Sequence, residues 1–93
     1  MIQRFCFVKL SDAEVPTRTA FAETLRAELA DAGADALVGL PADSSAARWD
    51  LSLVITCASL DAWTALAHTP AMIAILDSIA ARAAVVKSWT FEV

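Results

Sequence analysis

The segment WDLSLVITC at residues 49–57, in which apolar and polar side chains alternate, constrains the fold most. Successive side chains of a strand point to opposite faces of a sheet, so this alternation predicts a strand with two different surroundings. One predicted face carries Trp49, Leu51, Leu53, Ile55 and Cys57. The other carries Asp50, Ser52, Val54 and Thr56.

The rest of the chain supplies three further strands and two helices. Strands are predicted at 2–10, 36–42 and 84–93, and Pro41 indicates that the second of them lies at a sheet edge or ends there. A helix is predicted over 16–32, with Gly33 as its C-terminal cap. A second helix begins after Ser59, breaks at His68 and restarts at Thr69. The order βαββαβ predicts a ferredoxin-like α+β fold, with an antiparallel sheet and helices on one face, in a single domain over 1–93.

The sheet would leave its second face uncovered, although the residues predicted for that face are apolar. Phe5, Phe7, Val54 and Thr56 are candidates for it, and 58% of all residues are hydrophobic. A small domain has difficulty hiding so much apolar surface, and uncovered apolar patches mark interfaces. We therefore expect a homodimer that forms through this sheet face, a dimeric α/β barrel.

Charge and residue usage exclude several classes of partner. The net charge is −4 and the seven Lys and Arg residues are scattered, whereas nucleic-acid binding requires a basic stripe. No apolar run approaches the about 18 residues of a membrane-spanning helix, so no membrane is expected. Two isolated cysteines and a first segment unlike a signal peptide favour a cytoplasmic location. The single His and the two Gly provide neither a metal ligand set nor a phosphate loop, so no metal or cofactor is predicted.

Two residues are candidates for catalysis. His68 is the only histidine and titrates near neutral pH, as a general base must. The alternative for His68 is a helix-end residue that interacts with exposed carbonyls. Arg4 is predicted to share a strand face with Cys6, at the mouth of a pocket, where its guanidinium could hold a carboxylate or phenolate. The alternative for Arg4 is an ion pair with Glu92 or Asp50 on a neighbouring strand.

The segment WDLSLVITCASLDAWTALAHTPAM, with IQRFCFVKL before it and VVKSWTFEV after it, resembles the stress-responsive A/B barrel (Dabb) family over nearly the whole chain. The resemblance implies a dimeric α+β barrel with a pocket between sheet and helices, and one plant member is a polyketide cyclase that uses histidines and a tyrosine. The family's first-strand histidine falls on Arg4, and its tyrosine falls on Leu66. The two histidines of its His-Pro-x-His turn fall on Thr69 and Met72, so His68 lies one place before the first of them.

These observations predict a ligand site whose lining residues are Cys6, Trp49, Leu53, Leu66 and Met72. The aromatic side chains have a second interpretation as core or interface anchors, and Cys6 has one as a small core residue.

Three functions stay open at this point. The first is binding of a small apolar or aromatic metabolite between sheet and helices. The second is a cofactor-independent cyclase, isomerase or monooxygenase that uses His68 or Arg4. The third is a protein-interaction module.

Overall fold

A computed structural model describes all residues, 1–93. The strands are β1 (Ile2–Leu10), β2 (Asp35–Gly39), β3 (Leu51–Cys57) and β4 (Ala83–Glu92). The helices are α1 (Arg18–Asp31), α2 (Leu60–Ala67) and α3 (Pro70–Arg82), with 3-10 turns at Val15–Thr17 and Ser44–Ala46. The sheet is antiparallel throughout, in the order β2-β3-β1-β4. This is the predicted ferredoxin-like α+β fold, with β2 and β4 at the edges.

Local signals set three of the six helix ends. Ser59 accepts a hydrogen bond from the Ala62 backbone and so caps α2, while Thr69 does the same for α3 through the Met72 backbone. Gly33 ends α1 with φ +74°, a conformation that glycine adopts without steric cost. The α-helix α1 begins two residues later than Pro16, because that proline lies in the preceding 3-10 turn.

The core lies between the helices and one face of the sheet. The side chains packed there alternate along β1 and β3 and recur at helical spacing along α1 and α3: Cys6, Val8, Leu10, Phe21, Ala22, Leu25, Leu29, Val38, Leu51, Leu53, Ile55, Met72, Ile75 and Ile79. No helix packs on the opposite side of the sheet, which we call the open face. Its residues follow from the strand register: Gln3, Phe5, Phe7, Lys9, Asp35, Leu37, Gly39, Ser52, Val54, Thr56, Val85, Lys87, Trp89 and Phe91.

A buried carboxylate fastens the end of β1. Asp50 is 8% exposed, and its Oδ2 accepts a hydrogen bond of 2.8 Å from the Leu10 backbone. Its Oδ1 lies 3.2 Å from Arg18 Nη1 at the start of α1. The Asp50 backbone in turn donates to the Val8 carbonyl at 2.8 Å. One side chain therefore holds β1, the entry to β3 and α1 together.

No single helix has the length and hydropathy to cross a membrane. Only α2 and α3 taken together meet that test, as a pair bent by 79°. The bend is the helix break that the sequence predicts at His68.

Candidate functional site

A cavity of about 210 Å³ lies between the sheet and the helix pair α2–α3. Strands β1, β3 and β4 form its floor, and Trp63 of α2 with three residues of α3 forms its roof. Its lining residues are Arg4, Cys6, Leu53, Ile55, Trp63, Leu76, Ile79, Ala80, Val86 and Ser88. Most of this wall is apolar, and Arg4 is its only charged member.

Packing and contacts orient Arg4. It is half-buried on the helix side of β1, as the strand alternation predicts. Nη1 donates a hydrogen bond of 2.9 Å to Thr90 Oγ1 on β4. Its guanidinium carbon lies 5.4 Å from the ring centroid of Trp63, within the range of a cation–π contact. The guanidinium is therefore fixed by one hydroxyl and one aromatic ring.

The predicted alternative for Arg4, an ion pair with Glu92 or Asp50, is wrong. Asp50 pairs with Arg18 instead, because the start of α1 brings that side chain to within 3.2 Å. Glu92 lies on the exposed end of β4 and forms no ion pair. Arg4 thus has no carboxylate partner within the protein.

The break between α2 and α3 determines what covers the cavity. Each helix has its own N-cap, so the chain turns by 79° between them without leaving the first amides of α3 uncapped. The turn lets Trp63 approach β1 from one direction while Ile79 and Ala80 approach from another. Helices arranged in this way cover β1 and β3 but leave most of β4 exposed.

His68 does not reach this cavity. It is exposed at the C-cap of α2, and its Nδ1 lies 2.7 Å from the Thr64 carbonyl oxygen. It lines none of the cavities of the molecule. This placement matches the helix-end alternative, and it keeps His68 apart from Arg4.

Four of the five predicted ligand-binding residues divide into two groups. Cys6 and Leu53 line the cavity. Met72 is fully buried in the core and Leu66 packs against that core from α2, and neither lines the cavity. Their buried packing makes them part of the support beneath the helices.

The prediction that Trp49 shares the face of Leu51 is wrong. Strand β3 begins only at Leu51, because Asp50 turns its carboxylate into the core to bind the β1 backbone. Trp49 consequently lies on the side of the open face, with its ring centroid 5.8 Å from that of Phe7. There it lines a separate small cavity of about 80 Å³.

Sequence reasoning did not assign Ile79, Val86 and Ser88 to the ligand site. Ser88 lies opposite Cys6 in the β1–β4 register, and Val86 lies opposite Val8. The alternation of the last strand gives two possible faces, and only the strand pairing decides between them. The one signal in the sequence is the apolar stripe of α3, which includes Ile79.

The remaining chemistry is sparse. Burial raises the pKa of the Cys57 thiol, and the nearby Asp35 carboxylate raises it further. This cysteine therefore stays a neutral thiol at physiological pH, which is the opposite of what a nucleophile requires. No three His, Cys, Asp or Glu side chains are grouped as a metal ion requires.

Comparison with known proteins relates this chain to others through its fold. No protein-family model and no curated protein sequence matches it. Among solved structures, 62 chains match. One is a dimeric ferredoxin-like protein of unknown function from Thermobifida fusca, with TM-score 0.81, 18% identity, and coverage of 99% of this chain and 90% of that one.

Two more solved structures illustrate the range of these neighbours. A dimeric protein of unknown function with a ferredoxin-like fold, from Bacteroides fragilis, has TM-score 0.78 and 19% identity over 99% of this chain and 95% of that one. A hydroxynitrile lyase from Passiflora edulis has TM-score 0.81 and 8% identity over 99% of this chain and 92% of that one. Because these sequence identities are below 20%, the neighbours establish the ferredoxin-like fold alone. Among these neighbours the fold occurs in dimeric proteins and in an enzyme.

Proposed function

We propose that this chain is a stress-responsive A/B barrel protein that binds a small apolar or aromatic molecule in the cavity between the sheet and α2–α3. The observation that carries the proposal is the cavity itself, about 210 Å³ with a mostly apolar wall and one charged group. Ligand sites combine these features, since apolar walls supply affinity and a few polar groups fix orientation. An apolar cavity of about 150 Å³ already accepts benzene.

Binding can be tested by blocking the cavity from the helix side. Ala80 lines the cavity from α3 and is exposed, so Ala80→Trp adds a ring at the cavity without disturbing the core. Ala81 is the next residue of the same helix, is also exposed and does not line the cavity, so Ala81→Trp is the matched control. We expect small aromatic acids, amides and phenols to raise the melting temperature of the wild type and of Ala81→Trp, but not of Ala80→Trp. Equal responses in all three proteins would contradict the proposal.

We propose further that two copies associate through the open face, as the dimeric neighbours suggest. Leu37 is 74% exposed, Trp89 46% and Phe91 55%, all on this face. Phe5 contacts Phe91 and Phe7 contacts Trp89, each pair edge to face at 5.7 Å, so the aromatic rings of this face lie in packed pairs. A second copy with the same surface would cover it under two-fold symmetry.

The oligomeric state tests this second part. Trp89→Glu places a charge on the open face, on edge strand β4, whereas Ile73→Glu places one at an apolar position of α3 that is 45% exposed. Sedimentation equilibrium at micromolar concentration should find dimers for the wild type and for Ile73→Glu, and monomers for Trp89→Glu. A monomeric wild type would refute the homodimer and leave the ligand site to be judged by the binding assay.

One observation favours a catalytic role as the second candidate. Arg4 places a fixed positive charge in the cavity wall, and such a charge can stabilise an oxyanion that develops on a bound substrate. The hydroxynitrile lyase with the same fold is an enzyme, although 8% identity carries no residue across. If the protein is a cofactor-independent enzyme, Arg4→Ala abolishes turnover while the melting temperature holds. His68→Ala leaves turnover unchanged, because His68 lies outside the cavity.

A further inference from the structure

Arg4 is held in the cavity wall by contacts that do not neutralise its charge. Its guanidinium carries five N–H donors, and only Nη1 has a partner within the protein, the Thr90 hydroxyl at 2.9 Å. The face of Trp63, at 5.4 Å, restricts the guanidinium further. The charge, its position and its unused donors are therefore fixed before any ligand arrives.

The acidic residues of the surrounding elements leave this charge unpaired. Asp61 lies in the first turn of α2, Asp77 lies on α3, and Glu92 lies two residues beyond Thr90 on β4. None of the three lines the cavity, and none forms an ion pair. Both ion pairs of the chain involve other arginines. The cavity is thus electropositive at one point inside a protein whose net charge is −4.

We propose that the ligand of this site is an aromatic or conjugated monocarboxylate, whose carboxylate binds the Arg4 guanidinium and whose ring packs against Trp63 and Ile79. The inference rests on the ligand-binding function proposed above and names its substrate class. A guanidinium donates two parallel hydrogen bonds to a carboxylate, a geometry that few other groups match. The Ser88 hydroxyl in the same wall supplies one more donor.

The remainder of the wall limits the ligand to one charge. Leu53, Ile55 and Ile79 are each at most 3% exposed and present only hydrocarbon to the cavity. A second carboxylate or a phosphate dianion directed at these side chains would lose its hydration without a partner, which is costly. Dicarboxylates and phosphate esters that would direct a second charge at these three side chains are therefore disfavoured.

The experiment compares cinnamate with cinnamamide, which share a skeleton and differ in charge. Binding to the full-length protein is measured by titration, following the indole N–H resonance of Trp63, which is assigned by its loss in Trp63→Phe. We expect cinnamate to bind the wild type at least about tenfold more tightly than cinnamamide, because charge-assisted hydrogen bonds exceed neutral ones by such a factor. In Arg4→Gln the two dissociation constants should become equal, through weaker binding of cinnamate alone.

Two controls separate this inference from the proposed function beneath it. Ala80→Trp should lose both compounds, since it fills the cavity, and Glu92→Gln should keep the preference for cinnamate. If both compounds bind the wild type equally at Trp63, the proposed function stands and the monocarboxylate class is refuted. This outcome is measured on the wild type alone and does not depend on any variant. If neither compound perturbs Trp63, the cavity is not a ligand site for this class and both proposals fail. A preference for cinnamate that persists in Arg4→Gln would overturn the assignment to Arg4.

Discussion

Replacing Asp50 with alanine should destabilise the protein more than any other single change to a polar side chain. The Asp50 carboxylate accepts the backbone N–H of Leu10, a residue that is 1% exposed, at 2.8 Å. In Asp50→Ala this buried N–H loses its acceptor, and water cannot replace it. A hydrogen bond to a charged group is worth about 1.5–3 kcal/mol, and the orphaned donor brings the loss to the upper part of that range.

The ion pair with Arg18 adds much less. The Arg18 side chain is 41% exposed, so solvent screens its attraction to Asp50, and exposed pairs are worth at most about 1 kcal/mol. We therefore expect a loss of about 2–3 kcal/mol for Asp50→Ala and of less than about 1 kcal/mol for Arg18→Ala. Asp50→Asn keeps an acceptor for the Leu10 N–H, so its loss of stability should lie between those of Asp50→Ala and Arg18→Ala.

Thermal and urea denaturation at one fixed protein concentration measure these differences, since association shifts the apparent stability. In a domain of this size about 1 kcal/mol corresponds to about 4–8 °C, so Asp50→Ala should melt about 10–20 °C lower than the wild type. Asp77→Ala, at an exposed carboxylate of α3 with no hydrogen-bond or ion-pair partner, is the control and should change little. The reasoning is refuted if Arg18→Ala costs as much as Asp50→Ala, because the ion pair would then outweigh the backbone hydrogen bond.

Three smaller predictions concern other local features. Gly33→Ala should lower the stability measured by denaturation by about 1–2 kcal/mol. The cost comes from φ of +74° alone, since no neighbouring atom would clash with the added Cβ, and Gly33→Asn should cost less. Thr69→Ala should cost about 1 kcal/mol and accelerate hydrogen exchange at the Met72 amide, which loses its cap; an unchanged amide would contradict this. The raised pKa of Cys57 means that the folded protein keeps a proton that the unfolded chain loses above about pH 9.0. Stability should therefore fall as the pH rises through that value, and Cys57→Ser should flatten the fall.

The strand and helix order was predictable because each element has its own local signal. Ser59 and Thr69 are side chains that cap helices wherever the chain allows, and Gly33 is the residue that adopts a positive φ most readily. The face of Arg4 was equally predictable, because alternation along β1 depends only on an extended backbone. These properties belong to the residues themselves and do not require knowledge of the neighbouring elements.

The misplacement of Trp49 shows where local reasoning ends. The alternating pattern continues through Trp49 and Asp50, although regular pairing with β1 begins at Leu51. The hydrogen bond from the buried Leu10 N–H to the Asp50 carboxylate takes the place of strand pairing at Trp49 and Asp50. The need for that acceptor arises only from the register of the sheet. For the same reason the contribution of Ser88 to the cavity could not be read from β4 alone.

Strand β1 connects the two proposed activities of the molecule. It lies inside the sheet, between β3 and β4, and its alternate residues serve opposite sides. Arg4 and Cys6 point into the cavity, whereas Phe5 and Phe7 lie on the open face. A shift of β1 by one residue would move the guanidinium to the proposed dimer interface and an aromatic ring into the cavity. The register of this one strand is therefore fixed from both sides, so that the proposed ligand site and the proposed dimer interface depend on the same backbone hydrogen bonds.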